Sequence, residues 1–234
     1  MSSVISISQT FIYHNRTTKF RLVLISSVGF LLLLTLLSLI GADQKINGLF
    51  FPANQWELGK LPFFKWLYDW GPLPSLLLGL TSMIWATVVL LKEKSFSKCT
   101  PYAFPFLTLV IGPGLIVNSI FKEHWGRARP RQIDLYGGTL AYTDFYKPNL
   151  ETNGKSFPSG HASVGFHLCC LAFIRKNPFK AACFTFGIIW GLLIGLARIL
   201  QGGHFITDVI ASCYFVLLTC ILLAPEKNLK KMIE

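Results

Sequence analysis

Residues 181–224 read AACFTFGIIWGLLIGLARIL, QGGH, FITDVIASCYFVLLTCILLA: two apolar runs, 181–200 and 205–224, joined by Gln201, Gly202, Gly203 and His204. Each run has about the 20 residues that a helix needs to cross a bilayer core. Both are continuously apolar rather than alternating, the pattern of a membrane helix and not of a barrel strand. So short a connection predicts an antiparallel helical hairpin. Few charges interrupt it: Arg198 near the end of the first run and Asp208 near the start of the second, on either side of His204. Charges at the edge of a bilayer are costly, and their presence there points to function.

Four more runs lie upstream, at 22–42, 72–91, 103–121 and 162–174. The last is short unless its helix begins near Ser159. The predicted fold is all-α, an integral membrane bundle of six transmembrane helices over 22–224, with tails at 1–21 and 225–234. Composition agrees, since the 234 residues are 52% hydrophobic and 14% charged, whereas soluble domains carry about a quarter charged residues. The 22 Lys and Arg against 11 Asp and Glu would raise a nucleic-acid partner in a soluble chain. Here they fall in short loops, where they set topology and meet anionic headgroups. The partner is then the bilayer, with no nucleic acid and no obligate protein partner indicated.

The run after Arg16, Lys19 and Arg21 exceeds the roughly 7–15 residues of a signal-peptide core, so it reads as a retained first helix; residues 1–15 are expected to be loosely ordered. If six helices alternate, these cations share one side with Lys92, Lys94, Lys98, Arg175, Lys176, Lys180, Lys227, Lys230 and Lys231, accompanied only by Glu93, Glu226 and Glu234. The positive-inside rule makes that side cytoplasmic, with both termini inside. Loops 43–71, 122–161 and 201–204 then share the outer face, where the active site is expected. Loop 43–71 is rich in aromatics, which predicts an interfacial helix around 61–70 with Lys65 and Asp69 facing water. That loop reads as an aromatic belt, or as a wall guiding a lipid. The six cysteines show no Cys-x-x-Cys spacing and read as small buried hydrophobes.

Three polar clusters fall on the outer face. The first holds Lys122, Arg127, Arg129 and Arg131 directly after run 103–121. Lys122 and Arg129 are seven apart and share a face if the helix continues, with Pro130 helping to end it. Arginine's planar fork and lysine's point charge both suit phosphate, although anchoring to anionic lipid would use the same residues. His124 and Arg127 are expected to touch the substrate beyond its phosphate or to face solvent, with solvent the favoured reading. The second is Pro158-Ser159-Gly160-His161, which opens a helix and offers backbone N–H groups beside an imidazole that titrates near neutrality; capping by Ser159 is the plainer alternative. The third is Arg198, His204 and Asp208. The last two are four apart, so Asp208 can accept one imidazole N–H and leave the other nitrogen to act as nucleophile, and Gly202-Gly203 permits a tight turn. A metal is disfavoured, since no third ligand has matching spacing and cations surround the pair. His167 faces another side of its helix and reads as structural. The long loop holding Tyr136, Gly137, Gly138, Tyr142, Asp144, Phe145 and Tyr146 is expected to cover the site.

Together the clusters specify phosphoryl transfer: Lys122, Arg129, Arg198 and helix-end amides hold a phosphate, one histidine attacks phosphorus and a second protonates the leaving oxygen. In Lys122 to Arg129-Pro130, Pro158-Ser159-Gly160-His161 and Arg198 to His204 to Asp208 the chain resembles the type 2 phosphatidic acid phosphatase superfamily of membrane lipid phosphatases. The resemblance spans residues 122–208, with Ala197 where the family usually has Ser before Arg198. It implies that Lys122, Arg129, Ser159, Gly160 and Arg198 bind phosphate, that His161 is the acid, His204 the nucleophile and Asp208 its orienting partner, and that no cofactor or metal is used. The 126–138 stretch looks like the bacterial subgroup that removes phosphate from lipid A, which implies an inner-membrane protein with a periplasmic site. Undecaprenyl diphosphate, phosphatidylglycerol phosphate and phosphatidate are the alternative substrates. A lipid binder or transporter that does not cleave is the rival from another class; a phosphotransferase and a soluble vanadate-dependent haloperoxidase are further rivals, the last opposed by the apolar runs.

Overall fold

The computed structural model describes residues 2–52, 55–174, 178–225 and 229, with side chains from Lys19 onward. The Arg16 side chain, Arg175, Lys176, Glu226, Lys227, Lys230, Lys231 and Glu234 lie outside the described residues, as does most of the segment 225–234 read as a tail. Among the described residues there is no strand, only two isolated bridges, Gly126 with Gly154 and Ile133 with Leu140.

Helix α1 spans Ser2–Leu39. It takes in the stretch expected to be loosely ordered, and the boundary expected at residue 21 has no counterpart in the backbone. Residues 2–28 hold neither proline nor glycine, the two residues that most disfavour helix. Helix α2 is Ala42–Leu49. The interfacial helix is α3, Pro62–Trp70, with Lys65 and Asp69 exposed and Leu67 buried. After Gly71-Pro72 the chain rises into α4, Leu73–Glu93. Helix α5, Phe96–Leu109, passes without interruption into a π-helical stretch, Val110–Phe121, and then α6, Lys122–His124. Pro113 lies inside the π stretch, where Asn118 Nδ2 donates to the Pro113 carbonyl (2.8 Å); such wide turns commonly mark functional sites.

Five helical segments among the described residues are long and apolar enough to cross a membrane: Lys19–Leu39, Pro62–Glu93, Phe96–His124, Phe179–Leu200 and Ile206–Leu223. The sixth expected span falls short. It consists of α7, Gly160–Phe166, followed by a 3-10 stretch, His167–Phe173. At about 1.5 Å per α residue and 2.0 Å per 3-10 residue it reaches about 25 Å, less than the ~30 Å core. Its position explains the tolerance: Ala162, Phe166, Cys169, Cys170, Ala172 and Phe173 are buried, so its neighbours are protein. Small residues let the backbones approach, and a Cβ added to Gly165 would lie 2.9 Å from Gly191 Cα.

The final hairpin forms as expected, with α8 at Phe179–Leu200 and α9 at Ile206–Leu223. The core runs between them and α7 through Phe166, Ile199, Val209 and Val216. His167 is buried there, its Nε2 2.8 Å from the Pro105 carbonyl and 3.2 Å from Thr108 Oγ1, in keeping with a structural role. All six cysteines are free; four are buried and Cys183 and Cys213 half-buried. Lys19 Nζ donates to the Leu222 and Ala224 carbonyls (2.6 and 3.2 Å). The end of α9 thus lies beside the start of the apolar part of α1, at the end of α9 remote from His204.

Candidate active site

The site grows from the turn between α8 and α9. Arg198 sits in the last turn of α8. Gly202 has φ +59, a left-handed conformation that glycine adopts without strain. Gly203 N donates to the Arg198 carbonyl (2.9 Å), and a Cβ there would stand 2.4 Å from Arg198 Nη2. The two glycines fold the chain back so that His204 follows directly on the guanidinium.

His204 is 1% exposed. Its Nδ1 lies 2.6 Å from the Ser156 carbonyl oxygen. A carbonyl can only accept, so Nδ1 carries the proton and Nε2 is left with its lone pair. Asp208 does not accept the imidazole N–H as expected: its Oδ2 is 3.6 Å from Nδ1, beyond hydrogen-bond range. That oxygen is already engaged by Ser156 Oγ (2.6 Å) and the Phe205 N–H (2.8 Å). Ser156 therefore serves both groups, holding His204 through its carbonyl and Asp208 through its hydroxyl. Burial pulls the His204 pKa down to about 4; Asp208 opposes the shift, and Arg198 and Lys122 add to it. The imidazole is neutral at pH 7, as a nucleophile must be.

In front of His204 opens a cavity of about 470 Å³, lined by His161 and by Lys122, Arg129 and Arg198 among others. His161 stacks on Tyr68 of α3, with centroids 4.5 Å apart and planes at 18°. The Arg198 guanidinium lies 4.5 Å from the centroid of the same ring, a cation–π contact. Lys122 Nζ donates to Asn118 Oδ1 (3.3 Å) at the end of the π stretch. Gly160 leaves this corner open, since a Cβ there would lie 3.0 Å from Lys122 Nζ and 2.3 Å from Asn118 Oδ1. The Nε atoms of Arg129 and Arg198 are buried without a partner among the described residues, donors that suit an anion in the cavity.

Lys122 and Arg129 meet here by a different route from the one expected. The helix stops at His124, Gly126 turns the chain at φ +68, and Arg129 is extended. Their convergence is across a turn and not along one helical face. Ser159 does not line the cavity. It is buried as the cap of α7, accepting from the Ala162 N–H (3.5 Å), while its own N–H goes to the Asp208 carbonyl (3.2 Å). Ala197 is buried beside Leu67 and Ile194, so the residue where the family usually has Ser packs against α3 and not into the cavity. His124 is exposed, as expected.

Arg127 departs furthest from expectation. In place of solvent it meets protein on every side and is 0% exposed. Its Nη1 donates to Asp208 Oδ1 (2.6 Å) and Thr207 Oγ1 (2.8 Å), its Nη2 to Asp43 Oδ2 (2.7 Å) and the Tyr142 hydroxyl (3.3 Å), and its Nε to the Thr143 carbonyl (2.9 Å). The Phe205 ring lies 4.5 Å below. Burial alone would lower its pKa; the carboxylates of Asp208 and Asp43 reverse that and raise it above the ordinary value. Asp43 is buried as well and accepts from Thr207 N–H (3.1 Å). The outer loop supplies Thr143 and Tyr142 to this network, so it packs around Arg127 and does not cover the cavity. The sequence signal for the pair was a lone acid directly after the first apolar run and a cation inside a cation cluster.

Three comparisons bear on this geometry. The family model described as PAP2 superfamily matches residues 102–228, from α5 through both histidines. That is more than half of the chain.

The chain belongs to the PAP2 superfamily.

It is the family that the three motifs resemble. Among curated PAP2 relatives, the chain is 36% identical over 115 residues to the lipid A 4'-phosphatase of Francisella tularensis subsp. novicida, covering 48% of this chain and 52% of that protein. It is 38% identical over 105 residues to the lipid A 4'-phosphatase of Rhizobium leguminosarum, covering 44% and 45%. The matches thus span about half the length of these relatives. A solved structure, the transmembrane PAP2 type phosphatidylglycerolphosphate phosphatase from Bacillus subtilis, matches with TM-score 0.54 and 22% identity over 91% of this chain and 97% of that one, a shared fold.

Proposed function

We propose that the protein is a membrane lipid phosphatase that works through a phosphohistidine at His204, with the phosphate of lipid A as its substrate. The observation that carries this reading is the buried His204, fixed at Nδ1 by the Ser156 carbonyl, lining a cavity that His161, Lys122, Arg129 and Arg198 line as well. Lys122, Arg129 and Arg198 hold the phosphate oxygens and neutralise charge as it moves. The Nε2 lone pair attacks phosphorus in line and the P–O ester bond breaks. Burial and then the Arg198 and Lys122 charges pull the His161 pKa down to about 3; the negative charge of a bound phosphate opposes those cations and lets His161 hold a proton, which it gives to the departing oxygen. Water then attacks the phosphohistidine, His161 takes the water proton, and the N–P bond breaks to release inorganic phosphate. Asp208 acts through Ser156 and the Phe205 N–H, as a positioning residue. Gly160 admits the Lys122 amine to the phosphate, and Ser159 shapes the helix end behind it.

The choice of lipid A is supported by the names of the relatives above and by the cationic, polar cavity; undecaprenyl diphosphate, phosphatidylglycerol phosphate and phosphatidate are the alternatives. The location follows the same reading: bacterial inner membrane, both termini cytoplasmic, site periplasmic. It is supported by the cation-rich loops and by the Lys19 contacts, which bring the ends of the apolar bundle together on the side away from the cavity. The test is phosphate release by the purified protein in detergent from the four lipids at matched surface concentration. Lipid A is expected to be cleaved fastest, with His204→Ala inactive. Equal release by His204→Ala would overturn the mechanism, and binding without release would show a lipid binder.

A further inference from the structure

The cavity carries more positive charge than one phosphate needs. Lys60, Lys65 and Arg131 line it together with Lys122, Arg129 and Arg198, and among the described residues no carboxylate does. One phosphate monoester brings at most two negative charges. Its volume of about 470 Å³ lies within the roughly 300–1,000 Å³ that takes a drug-sized ligand, so there is room for much more than one phosphoryl group.

The outer three cations stand on a built wall. Gln201 Nε2 donates to the carbonyls of Gly59 and Phe64 (3.4 and 3.3 Å), tying the turn at Leu58–Lys60 and α3 to the end of α8. A Cβ on Gly59 would lie 2.5 Å from the Leu200 carbonyl oxygen, so the turn is seated directly on that helix end. Leu67, 1% exposed, plugs α3 against Ile194 and Ala197. On the other side Arg131 N donates to the Gly202 carbonyl (3.1 Å), fixing Arg131 beside the His204 turn. Lys60 pairs with Glu57 (2.6 Å); Lys65 and Arg131 form no ion pair among the described residues. Burial and then the Arg131 charge lower the Arg129 pKa, so the inner and outer cations act on one volume.

We infer that Lys65 and Arg131, with Lys60, form a second anion subsite, and that the substrate headgroup carries a second phosphoryl group besides the one His204 attacks. This rests on the phosphatase reading above. Two headgroup chemistries meet the description: a diphosphate, and a sugar with phosphates on separate positions. The placement of Lys65 on α3 and of Arg131 against the Gly202 turn, two different walls, favours separate positions.

The experiment measures binding to the detergent-purified protein by competition, with four soluble probes: orthophosphate, pyrophosphate, a hexose monophosphate and a hexose 1,6-bisphosphate. The parent is expected to bind the bisphosphate about tenfold or more tighter than the monophosphate, the worth of one charged hydrogen-bonded contact. The double variant Lys65→Gln, Arg131→Gln is expected to bring that ratio close to one. A ratio taken within one preparation does not depend on how much of a variant has folded. A parent that binds both hexose phosphates equally and pyrophosphate no tighter than orthophosphate, or a double variant that keeps the parental ratio, would overturn the subsite. A tenfold advantage of pyrophosphate over orthophosphate without one for the bisphosphate would keep the subsite and assign it to a diphosphate. Phosphate release from the lipids, measured separately, isolates a failure of the phosphatase reading: the binding ratio without release refutes the hydrolase and not the subsite.

Discussion

Arg127 is where the structure makes its strongest demand. Replacing it with alanine removes the shared partner of two buried carboxylates, Asp43 at 2% exposure and Asp208 at 0%. Breaking a buried ion pair from one side typically costs about 3–5 kcal/mol, because the remaining charge stays buried without compensation. For a chain of this size that corresponds to roughly 6–20 °C in Tm, at about 2–4 °C per kcal/mol. The effect should reach the chemistry. Asp208 would lose the Arg127 bond that fixes Oδ1, and with it the position of Ser156, whose carbonyl holds His204. Arg127 does not line the cavity, so kcat should fall while KM changes little. Arg127→Lys keeps the charge but cannot reproduce the fork to Asp43 and Asp208, and should fall between parent and alanine in both Tm and kcat. The assays are thermal melting in detergent and steady-state phosphate release. An alanine variant with the parental Tm and kcat, or one that loses only KM, would refute this account of the network.

Four further outcomes can be measured. The His204 pKa is lowered to about 4, so the neutral nucleophile persists well below the ordinary 6.5; the acid limb of kcat/KM that belongs to His204 should lie near 4, and a nucleophile titrating near 6.5 would contradict its burial. The same shift makes the unfolded chain bind more protons than the folded one between about 4 and 6.5, so this contribution to stability is complete above 6.5 and is lost as the pH falls towards 4, as melting at stepped pH should show. Gly203→Ala puts a Cβ 2.4 Å from Arg198 Nη2; displacing the guanidinium from the phosphate should raise KM by about tenfold or more, and a parental KM would show that Arg198 does not hold the substrate. Excess chelator should leave phosphate release unchanged, since the reaction proposed uses cations and histidines only; a strict divalent-ion requirement would sink it.

Much of this was legible in the chain. The hairpin of α8 and α9 was readable because long apolar runs in a membrane leave little choice of backbone. Lys122, Arg129, His161, Arg198 and His204 were readable because phosphate chemistry would confine each to a narrow residue type, and the structure gathers them at one cavity, with Gly160 packed against the Lys122 amine. What escaped depended on distant partners. Arg127 and Asp43 are 84 residues apart, and no local spacing marks a guanidinium as buried rather than solvated. The Ser156 carbonyl is a backbone group, invisible to a reading of side chains, so Asp208, at the right spacing, was given its task. The short α7 segment falls below the length of a span because it is surrounded by protein. Lys122 and Arg129 were paired for a reason the backbone does not use, since Gly126 ends the helix between them.

The phosphohistidine is the claim on which the rest depends. Quenching the protein in alkali during steady-state turnover, followed by digestion and mass mapping, tests it directly, because a phosphoramidate bond is labile in acid and survives in base. The account predicts one phosphoryl group on the peptide that carries His204, formed with substrate and absent from His204→Ala. Turnover at the parental rate with no phosphoryl group on His204, or with the label on His161, would contradict it.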